Sequence, residues 1–207
     1  AEQKLNAELY GSKSFEEVLV RLEKYQSKNK RKFIIGRGWD QSLWTNKEFP
    51  TNEKLNVLFP DIPVCLTRVD GHALLANDAL LKLAGIDAST TIEGGIVHVN
   101  EGRCTGLLVD NAMEAVYALI PEYEEKDLAK AMLEIEKELF QYGITSVHEA
   151  GIDNKDIAFF RALIDRYNLK LSVYAMLMPS EANFSFAEKK GIYNYKNLTI
   201  RSFKVVG

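Results

Sequence analysis

The chain has 207 residues, of which 46% are hydrophobic and 27% are charged, and its formal net charge is -3. This composition supports a folded core in one or two domains and excludes an intrinsically disordered chain. A slightly acidic chain also lacks the broad electropositive surface that dominates nucleic-acid affinity, so we expect no nucleic-acid partner.

Targeting and redox signals are few. No apolar stretch approaches the roughly 20 residues that span a bilayer, and the charged N-terminus does not resemble a signal peptide. We therefore expect no membrane partner, and both cytoplasmic residence and export after signal removal stay open.

Cys65 and Cys104 are too few for a disulfide framework and are predicted to be buried thiols. Because Ala1 is not an initiator methionine and strand-like residues precede Gly207, we expect a piece of a longer protein.

The chain up to about residue 124 combines helices with irregularly spaced strands. Ser14 and Glu17 form a capping box before apolar residues at helical spacing, which predicts a helix over 14–27. Further predictions are a strand at 33–35, a short helix at 51–58, a strand at 63–69, a helix at 77–84, a hairpin at 94–103 and a helix at 107–119. The expected product is a mixed α+β subdomain.

From residue 126 onward, strands alternate with helices. The predicted helices are 126–143, 153–167 and 182–190, and the predicted strands are 144–148, 169–177 and 198–206. Alternation through tight connections is typical of parallel β-α units. It predicts an α/β fold, built either as a barrel or as a doubly wound sheet.

Two polar residues lie near the ends of predicted strands. Strict alternation along 198–206 places Lys204 on the same face as Leu198 and Ile200, near the C-terminal end where barrel enzymes carry their chemistry. A lysine that reaches solvent is the commoner outcome for this residue type. His148 ends the strand 144–148 and is a second candidate, against the alternative of a histidine bonded to backbone.

A third polar group follows the strand 63–69. We interpret Arg68, Asp70 and His72 as substrate-binding residues: Arg68 to hold a carboxylate and Asp70 to orient His72, with Gly71 permitting a tight turn. The alternative is a salt bridge and turn with a structural role.

Histidine spacing does not predict a metal site. The three histidines, His72, His98 and His148, show neither H-x-H nor H-E-x-x-H spacing. His98 falls within the predicted hairpin and is assigned no function.

Several short motifs stand in an order typical of one family. They are Gly36-Arg37-Gly38-Trp39-Asp40, Phe49-Pro50-Thr51, Pro63-Val64, Arg68-Val69-Asp70-Gly71-His72, Asn77, Leu83-Ala84-Gly85-Ile86, Thr105-Gly106-Leu107-Leu108-Val109-Asp110, the run from Gly143 to Gly151, and Phe203-Lys204-Val205-Val206-Gly207. In this order they resemble the amidohydrolase 3 branch of the amidohydrolase superfamily, which includes N-substituted formamide deformylase-like enzymes. Each motif is weak alone, and their shared order over nearly the whole chain carries the identification.

The resemblance implies a fold. Members of this family are metal-dependent hydrolases built on a (β/α)₈ barrel. Residues 125–207 would then form a partial TIM barrel of about strands 2–4, and residues 1–124 an insertion subdomain that follows the first barrel strand.

The resemblance also implies a chemistry: hydrolysis of amide- or formamide-type C–N bonds outside peptides, in a small-molecule substrate, by metal-activated water. The expected cofactor is a divalent metal, with zinc as the first choice. Lys204 falls where related enzymes have a lysine that is carboxylated and bridges two metal ions. Arg68, Asp70, His72 and His148 would lie at the substrate pocket.

This sequence departs from the family pattern in its metal ligands. The H-x-H motif of the first strand, the later histidines and the aspartate of the eighth strand are absent. We therefore expect the chain alone to bind no metal and to be inactive, and the open edges of its incomplete barrel to favour self-association. Two rivals stay open: a non-catalytic binding or regulatory module of the same fold, and an unrelated doubly wound enzyme with its site around His148 and Glu149.

Overall fold

The computed structural model describes residues 2–205, without the side chains of Glu2 and Gln3. The chain divides into two compact units, one from residue 2 to 122 and one from 123 to the C-terminal end. Each unit combines helices with one sheet, which confirms the mixed α/β class predicted from the sequence.

The first unit contains a six-stranded mixed sheet. Its elements are α1 (Glu2–Leu5), β1 (Ala7–Glu8), α2 (Phe15–Asn29), β2 (Ile34–Trp39), α3 (Glu53–Leu58), β3 (Val64–Arg68), β4 (Ala73–Ala76), α4 (Asp78–Ala84), β5 (Gly95–Asn100), β6 (Arg103–Asp110) and α5 (Glu114–Tyr117). The strand order is β1-β2-β3-β4-β6-β5. The first three strands are parallel, and the remaining pairs are antiparallel.

Both faces of this sheet are buried. Leu66 of β3 and Leu75 of β4 belong to one apolar core, which also holds Leu22 of α2. The neighbouring strand residues Cys65 and Leu74 point the other way, into a second core. A strand covered on both faces is apolar at successive positions, which is why β3 and β4 read as continuous hydrophobic runs.

The helix predicted at 107–119 is confirmed only in part: its first residues complete strand β6, and its α-helical portion is α5 (Glu114–Tyr117). Leu107 lies in one core and Leu108 in the other, so this apolar pair marks a doubly buried strand rather than a helix face. Gly106 has a φ of +86°, and a Cβ there would come within 2.3 Å of the Ala76 carbonyl oxygen. Strand β4 was also missed, since its four buried residues carry no alternation.

Helix ends in this unit follow local capping chemistry. The Ser14 hydroxyl accepts a hydrogen bond from the Glu17 amide, as the capping box predicts. The Asn77 side chain caps α4 through the Leu80 amide, and Gly85 ends that helix at a φ of +67°. The predicted helices at 14–27 and 77–84 are confirmed.

The second unit contains a four-stranded sheet. Its elements are α6 (Glu125–Gln141), β7 (Ser146–Ile152), α7 (Asp156–Asp165), β8 (Ser172–Leu177), α8 (Glu181–Lys190), β9 (Tyr193–Tyr195) and β10 (Leu198–Phe203). The order is β7-β8-β10-β9, with β7, β8 and β10 parallel and β9 antiparallel to β10. The predicted alternation of helices with parallel strands is confirmed, and β9 is an addition.

Only one face of the four-stranded sheet carries the core of this unit, as far as residues 123–205 show. Val173, Ala175 and Leu198 pack there with Leu163 of α7. On the alternate positions Tyr174 and Met176 remain half-buried. The strands therefore turn one apolar face toward the helices and a more polar face away from them.

Two general expectations concern the whole of the described chain. Within residues 2–205, every helix is too short or too polar to span a bilayer. Cys65 and Cys104 are free and buried, as predicted, and burial raises the pKa of the Cys65 thiol to about 12.

Candidate active site

The carboxyl ends of β7, β8 and β10 lie at one edge of the four-stranded sheet, because the three strands are parallel. A β-bulge interrupts β7 between Ala150 and Ile152, and another interrupts β10 between Ile200 and Ser202. Each lies close to the C-terminal end of its strand. A bulge inserts one extra residue and re-aims the side chains that follow it.

Lys204 directly follows β10, is exposed, and donates its amide hydrogen to the Leu177 carbonyl at 2.9 Å. Phe203 pairs with Leu177 and packs on the helix-covered core, so the next residue projects to the opposite face. The expectation that Lys204 shares a face with Leu198 and Ile200 is wrong. The bulge after Ile200 shifts the alternation by one residue and turns Lys204 away from the helices.

Tyr174 lies at the centre of a cluster on this same face. Its hydroxyl donates to Ser202 Oγ at 2.8 Å. The ring centroids of Tyr174 and His148 are 5.0 Å apart, and the Arg201 guanidinium carbon lies 5.5 Å from the Tyr174 centroid. Side chains from β7, β8 and β10 thus converge around one phenol ring.

The electrostatics of this cluster favour negative charge. The hydrogen bond with Ser202, followed by the nearby Arg201 guanidinium, lowers the pKa of the Tyr174 phenol. Among residues 2–205, no carboxylate forms an ion pair with Arg201 or with Lys204. The cluster therefore offers hydrogen-bond donors and positive charge without an acidic side chain to neutralise them.

Arg68 has a contrasting environment at the edge of the six-stranded sheet. It ends β3, its side chain is 17% exposed, and it forms ion pairs with Asp40 at 3.0 Å and with Asp70. Its Nε atom also donates to the Gln41 side-chain oxygen at 2.8 Å. The carboxylates that Arg68 contacts come from the loops after β2 and β3, which matches the alternative of a structural salt bridge.

Asp40 belongs to the same network. Hydrogen bonds from Ser42 are the largest cause that lowers the pKa of the Asp40 carboxyl, and the positive charge of Arg68 adds to it. Asp40 thus remains ionised in the folded state and ties the loop after β2 to the end of β3.

His72 is held by two different carboxylates. Asp70 accepts a hydrogen bond from the His72 backbone amide at 3.1 Å, whereas the ring Nδ1 lies 3.1 Å from Asp110 Oδ1. The predicted role of Asp70 in orienting the imidazole therefore belongs to Asp110, at the end of β6. The His72 side chain remains 76% exposed, so the ring stays open to a ligand.

The structure assembles the five predicted site residues in two groups. Arg68, Asp70 and His72 lie together in the first unit, whereas in the second His148 lies in β7 and Lys204 directly follows β10. His98 lies in β5 and bonds to Thr105 Oγ1 at 3.0 Å.

The side chains described here do not make up a metal centre. No three His, Cys, Asp or Glu side chains within residues 2–205 are grouped closely enough to hold a metal ion. Lys204 and His148 would supply at most two ligands, whereas a catalytic zinc site uses about three protein ligands.

Several site residues were missed at the sequence level. Tyr174 could have been found, because it alternates with the apolar Val173 and Ala175 and must face away from the helices. The position of Arg201 depends on the bulge, for which the sequence carries no signal. Asp110 was quoted only as the end of a motif, and its contact with His72 joins residues 38 positions apart.

Curated relatives match the chain at moderate identity. It is 34% identical over 128 residues to Protein LONG AFTER FAR-RED 3 of Arabidopsis thaliana, covering 61% of the chain and 22% of that protein. It is 32% identical over 125 residues to putative amidohydrolase YtcJ of Bacillus subtilis, covering 59% of the chain and 24% of that protein. N-substituted formamide deformylase of Arthrobacter pascens is 28% identical over 135 residues, or 62% of the chain and 25% of that protein.

Solved structures and a family model complete these comparisons. An uncharacterized metal-dependent hydrolase from Pyrococcus horikoshii aligns with 98% of the chain at a TM-score of 0.65 and 25% identity, over 39% of its own length. The chain thus spans about a quarter of its curated relatives and two fifths of this structure. The model described as "Amidohydrolase family" matches residues 2–207. The chain therefore belongs to the amidohydrolase family.

Proposed function

We propose that this chain is part of a metal-dependent hydrolase that cleaves amide- or formamide-type C–N bonds outside peptides, using water activated by a divalent metal, with zinc as the first choice. The observation that carries the proposal is the position of Lys204. The β10 bulge puts Phe203 on the core face, so regular alternation would direct Lys204, the next residue, away from the helices at the carboxyl ends of three parallel strands. Barrel enzymes bind substrates and cofactors at this end.

Family membership and the relatives support the reaction class. The Pyrococcus protein is described as a metal-dependent hydrolase, and the Arthrobacter relative as an N-substituted formamide deformylase. An exposed lysine without an ion-pair partner in residues 2–205 is also free to be carboxylated. The resulting carbamate would supply the oxygen ligands that a lysine ammonium cannot.

The remaining predicted residues take separate roles in this proposal. His148 lies beside Tyr174 on the face of Lys204 and would contact the substrate. The donors of Arg68 already bond to Asp40, Asp70 and Gln41, so we assign Arg68 and Asp70 to positioning. His72 is the member of that group whose ring remains open to a ligand.

We further propose that the 207-residue chain alone has no hydrolase activity. Lys204 and His148 cannot complete a metal site without ligands from further barrel strands. The parent enzyme would gather those strands around the same edge.

The test compares the parent enzyme with this chain. Amine release from N-substituted formamides and simple N-acetyl amides is measured with and without a chelator, followed by readdition of zinc. We expect the parent to hydrolyse at least one substrate class in a chelator-sensitive way, and the isolated chain to show no turnover. Chelator-sensitive hydrolysis by the isolated chain would falsify the proposed inactivity.

A substitution tests Lys204 directly. Lys204→Gln in the parent should lower turnover by about 100-fold or more, because it removes a metal ligand. Lys196→Gln is the matched control: Lys196 is an exposed lysine of the same unit, paired with Asp165 at 2.6 Å, and its loss should leave turnover within about twofold. ¹³C NMR after addition of ¹³C-bicarbonate should show a carbamate signal in the parent that Lys204→Gln removes. Full turnover in that variant would exclude Lys204 as a ligand.

A further inference from the structure

The cluster around Tyr174 contains an arginine whose charge is not neutralised. The Arg201 guanidinium lies 5.5 Å from the Tyr174 ring centroid, and no carboxylate of residues 2–205 forms an ion pair with it. The Tyr174 hydroxyl donates to Ser202 Oγ at 2.8 Å, so the Ser202 hydroxyl proton can be donated to a ligand.

A second arginine–tyrosine pair in the same unit has an aspartate beside its tyrosine. The Arg161 guanidinium carbon lies 4.5 Å from the Tyr195 ring centroid. There Asp165 accepts hydrogen bonds from the Tyr195 hydroxyl and from Lys196, each at 2.6 Å. The Tyr195 hydroxyl therefore bonds to an aspartate, whereas the Tyr174 hydroxyl bonds to the neutral Ser202.

A carboxylate would match the geometry of the Arg201 guanidinium. A guanidinium presents paired N–H donors in a planar fork that matches the two oxygens of a carboxylate. The ring of Tyr174 lies under this fork and restricts its orientation, which reduces the entropy lost on binding. His148, whose ring centroid lies 5.0 Å from that of Tyr174, adds a further polar group at the same edge.

We propose that Arg201, together with Tyr174 and Ser202, binds a small carboxylate, and that the substrate of the parent enzyme therefore carries a carboxylate group near its scissile C–N bond. This inference rests on the proposed function, because it concerns the sheet face that carries Lys204. It extends that function by naming an anionic substrate class, such as an N-acyl or N-formyl amino acid, over a neutral amide.

The test is a titration of the ¹⁵N-labelled 207-residue chain with sodium acetate at constant ionic strength, followed by NMR. We expect saturable shifts of the Tyr174 ring and Arg201 Nε–H signals with a Kd on the order of millimolar, as suits one exposed bidentate contact. Acetamide, the neutral isostere, should bind at least about tenfold more weakly. Equal affinity for acetamide, or preference for inorganic phosphate by a similar factor, overturns the carboxylate site.

Matched variants distinguish acetate binding at this site from a general attraction of acetate to positive charge. Arg201→Gln should weaken acetate binding by about tenfold or more, Tyr174→Phe by about threefold, and Arg161→Gln by less than about twofold. Arg201→Lys keeps the charge but removes the fork, and should fall between Arg201→Gln and the unsubstituted chain. All four substitutions lie at exposed or half-exposed side chains, so amide spectra should retain the folded pattern. Undiminished binding by Arg201→Gln sinks the proposal.

The two proposals fail in different experiments. If acetate does not bind while the parent hydrolyses neutral amides in a chelator-sensitive way, the carboxylate site is excluded and the proposed function stands. If acetate binds through Arg201 while the parent hydrolyses no amide, the anion site stands and the proposed reaction is excluded.

Discussion

The two sheets present opposite electrostatics at the ends of their parallel strands. In the first unit, Arg68 is enclosed by Asp40 and Asp70, and His72 lies against Asp110. In the second unit, Arg201 and Lys204 have no ion-pair partner within residues 2–205.

This difference separates structural polar residues from residues that are open to chemistry. The N–H donors of a cation enclosed by carboxylates are already hydrogen-bonded within the fold. Removing such a cation leaves unpaired carboxylates behind. A cation without a partner contributes little to stability and keeps its donors for a ligand. We therefore expect stability effects at the edge of the six-stranded sheet and binding effects at the edge of the four-stranded sheet.

The largest stability effect should come from Arg68→Ala. The substitution leaves Asp40 and Asp70 without their cation and removes the hydrogen bond that holds the loop containing Gln41. The free energy of unfolding of the first unit should therefore fall by about 2–3 kcal/mol. Urea unfolding followed by fluorescence of the buried Trp39 and Trp44 reports on this unit.

Two other arginines serve as controls for this loss. Arg103→Ala breaks an exposed pair with Asp78 and should leave the unfolding midpoint unchanged within error. Arg201→Ala should do the same for the second unit. If Arg201→Ala destabilises as strongly as Arg68→Ala, the contrast between the two edges is wrong.

A smaller effect, on turnover rather than stability, is expected for His72→Ala in the parent enzyme. The exposed ring makes one side-chain contact, with Asp110, so its loss should lower kcat/KM by about tenfold and leave the unfolding midpoint nearly unchanged. His98→Ala is the matched control, since His98 is an exposed histidine bonded to Thr105 and should retain turnover. A midpoint shift as large as that of Arg68→Ala would assign His72 to the structural class instead.

The smallest effect concerns self-association. Strand β7 lies at the edge of its sheet and pairs with β8 on one side, which leaves the other side open within residues 123–205. We expect weak, concentration-dependent association in sedimentation velocity, reduced several-fold by Ala150→Lys because an edge lysine opposes strand pairing. Gln141→Lys, on the exposed end of α6, should leave association unchanged. A monomer at every concentration contradicts this prediction.

Local signals in the sequence were sufficient for most of the fold. The cap at Ser14 and the periodicity of 126–143 predicted helices that the structure contains, because these signals act over a few residues. The resemblance to the amidohydrolase family is confirmed by the match over residues 2–207, which excludes the unrelated doubly wound enzyme.

Features that depend on long-range packing were harder to predict from the sequence. The apolar pair Leu107 and Leu108 was assigned to a helix because a strand buried on both faces has no alternation. The contact of His72 with Asp110 depends on how β4 pairs with β6, which no local pattern specifies. For the candidate site, the sequence predicted which residues to consider but not which neighbours hold them.

The bulges on either side of β8 make the length of these strands as important as their composition. Removing one residue after the bulge, such as Phe203, would move Lys204 into the position that faces the helix layer, even though every other side chain were retained. Single-residue deletions here should therefore be tolerated far less than conservative replacements. In an alignment with distant relatives that lack the bulge, the gap should be placed opposite the extra residue of β10.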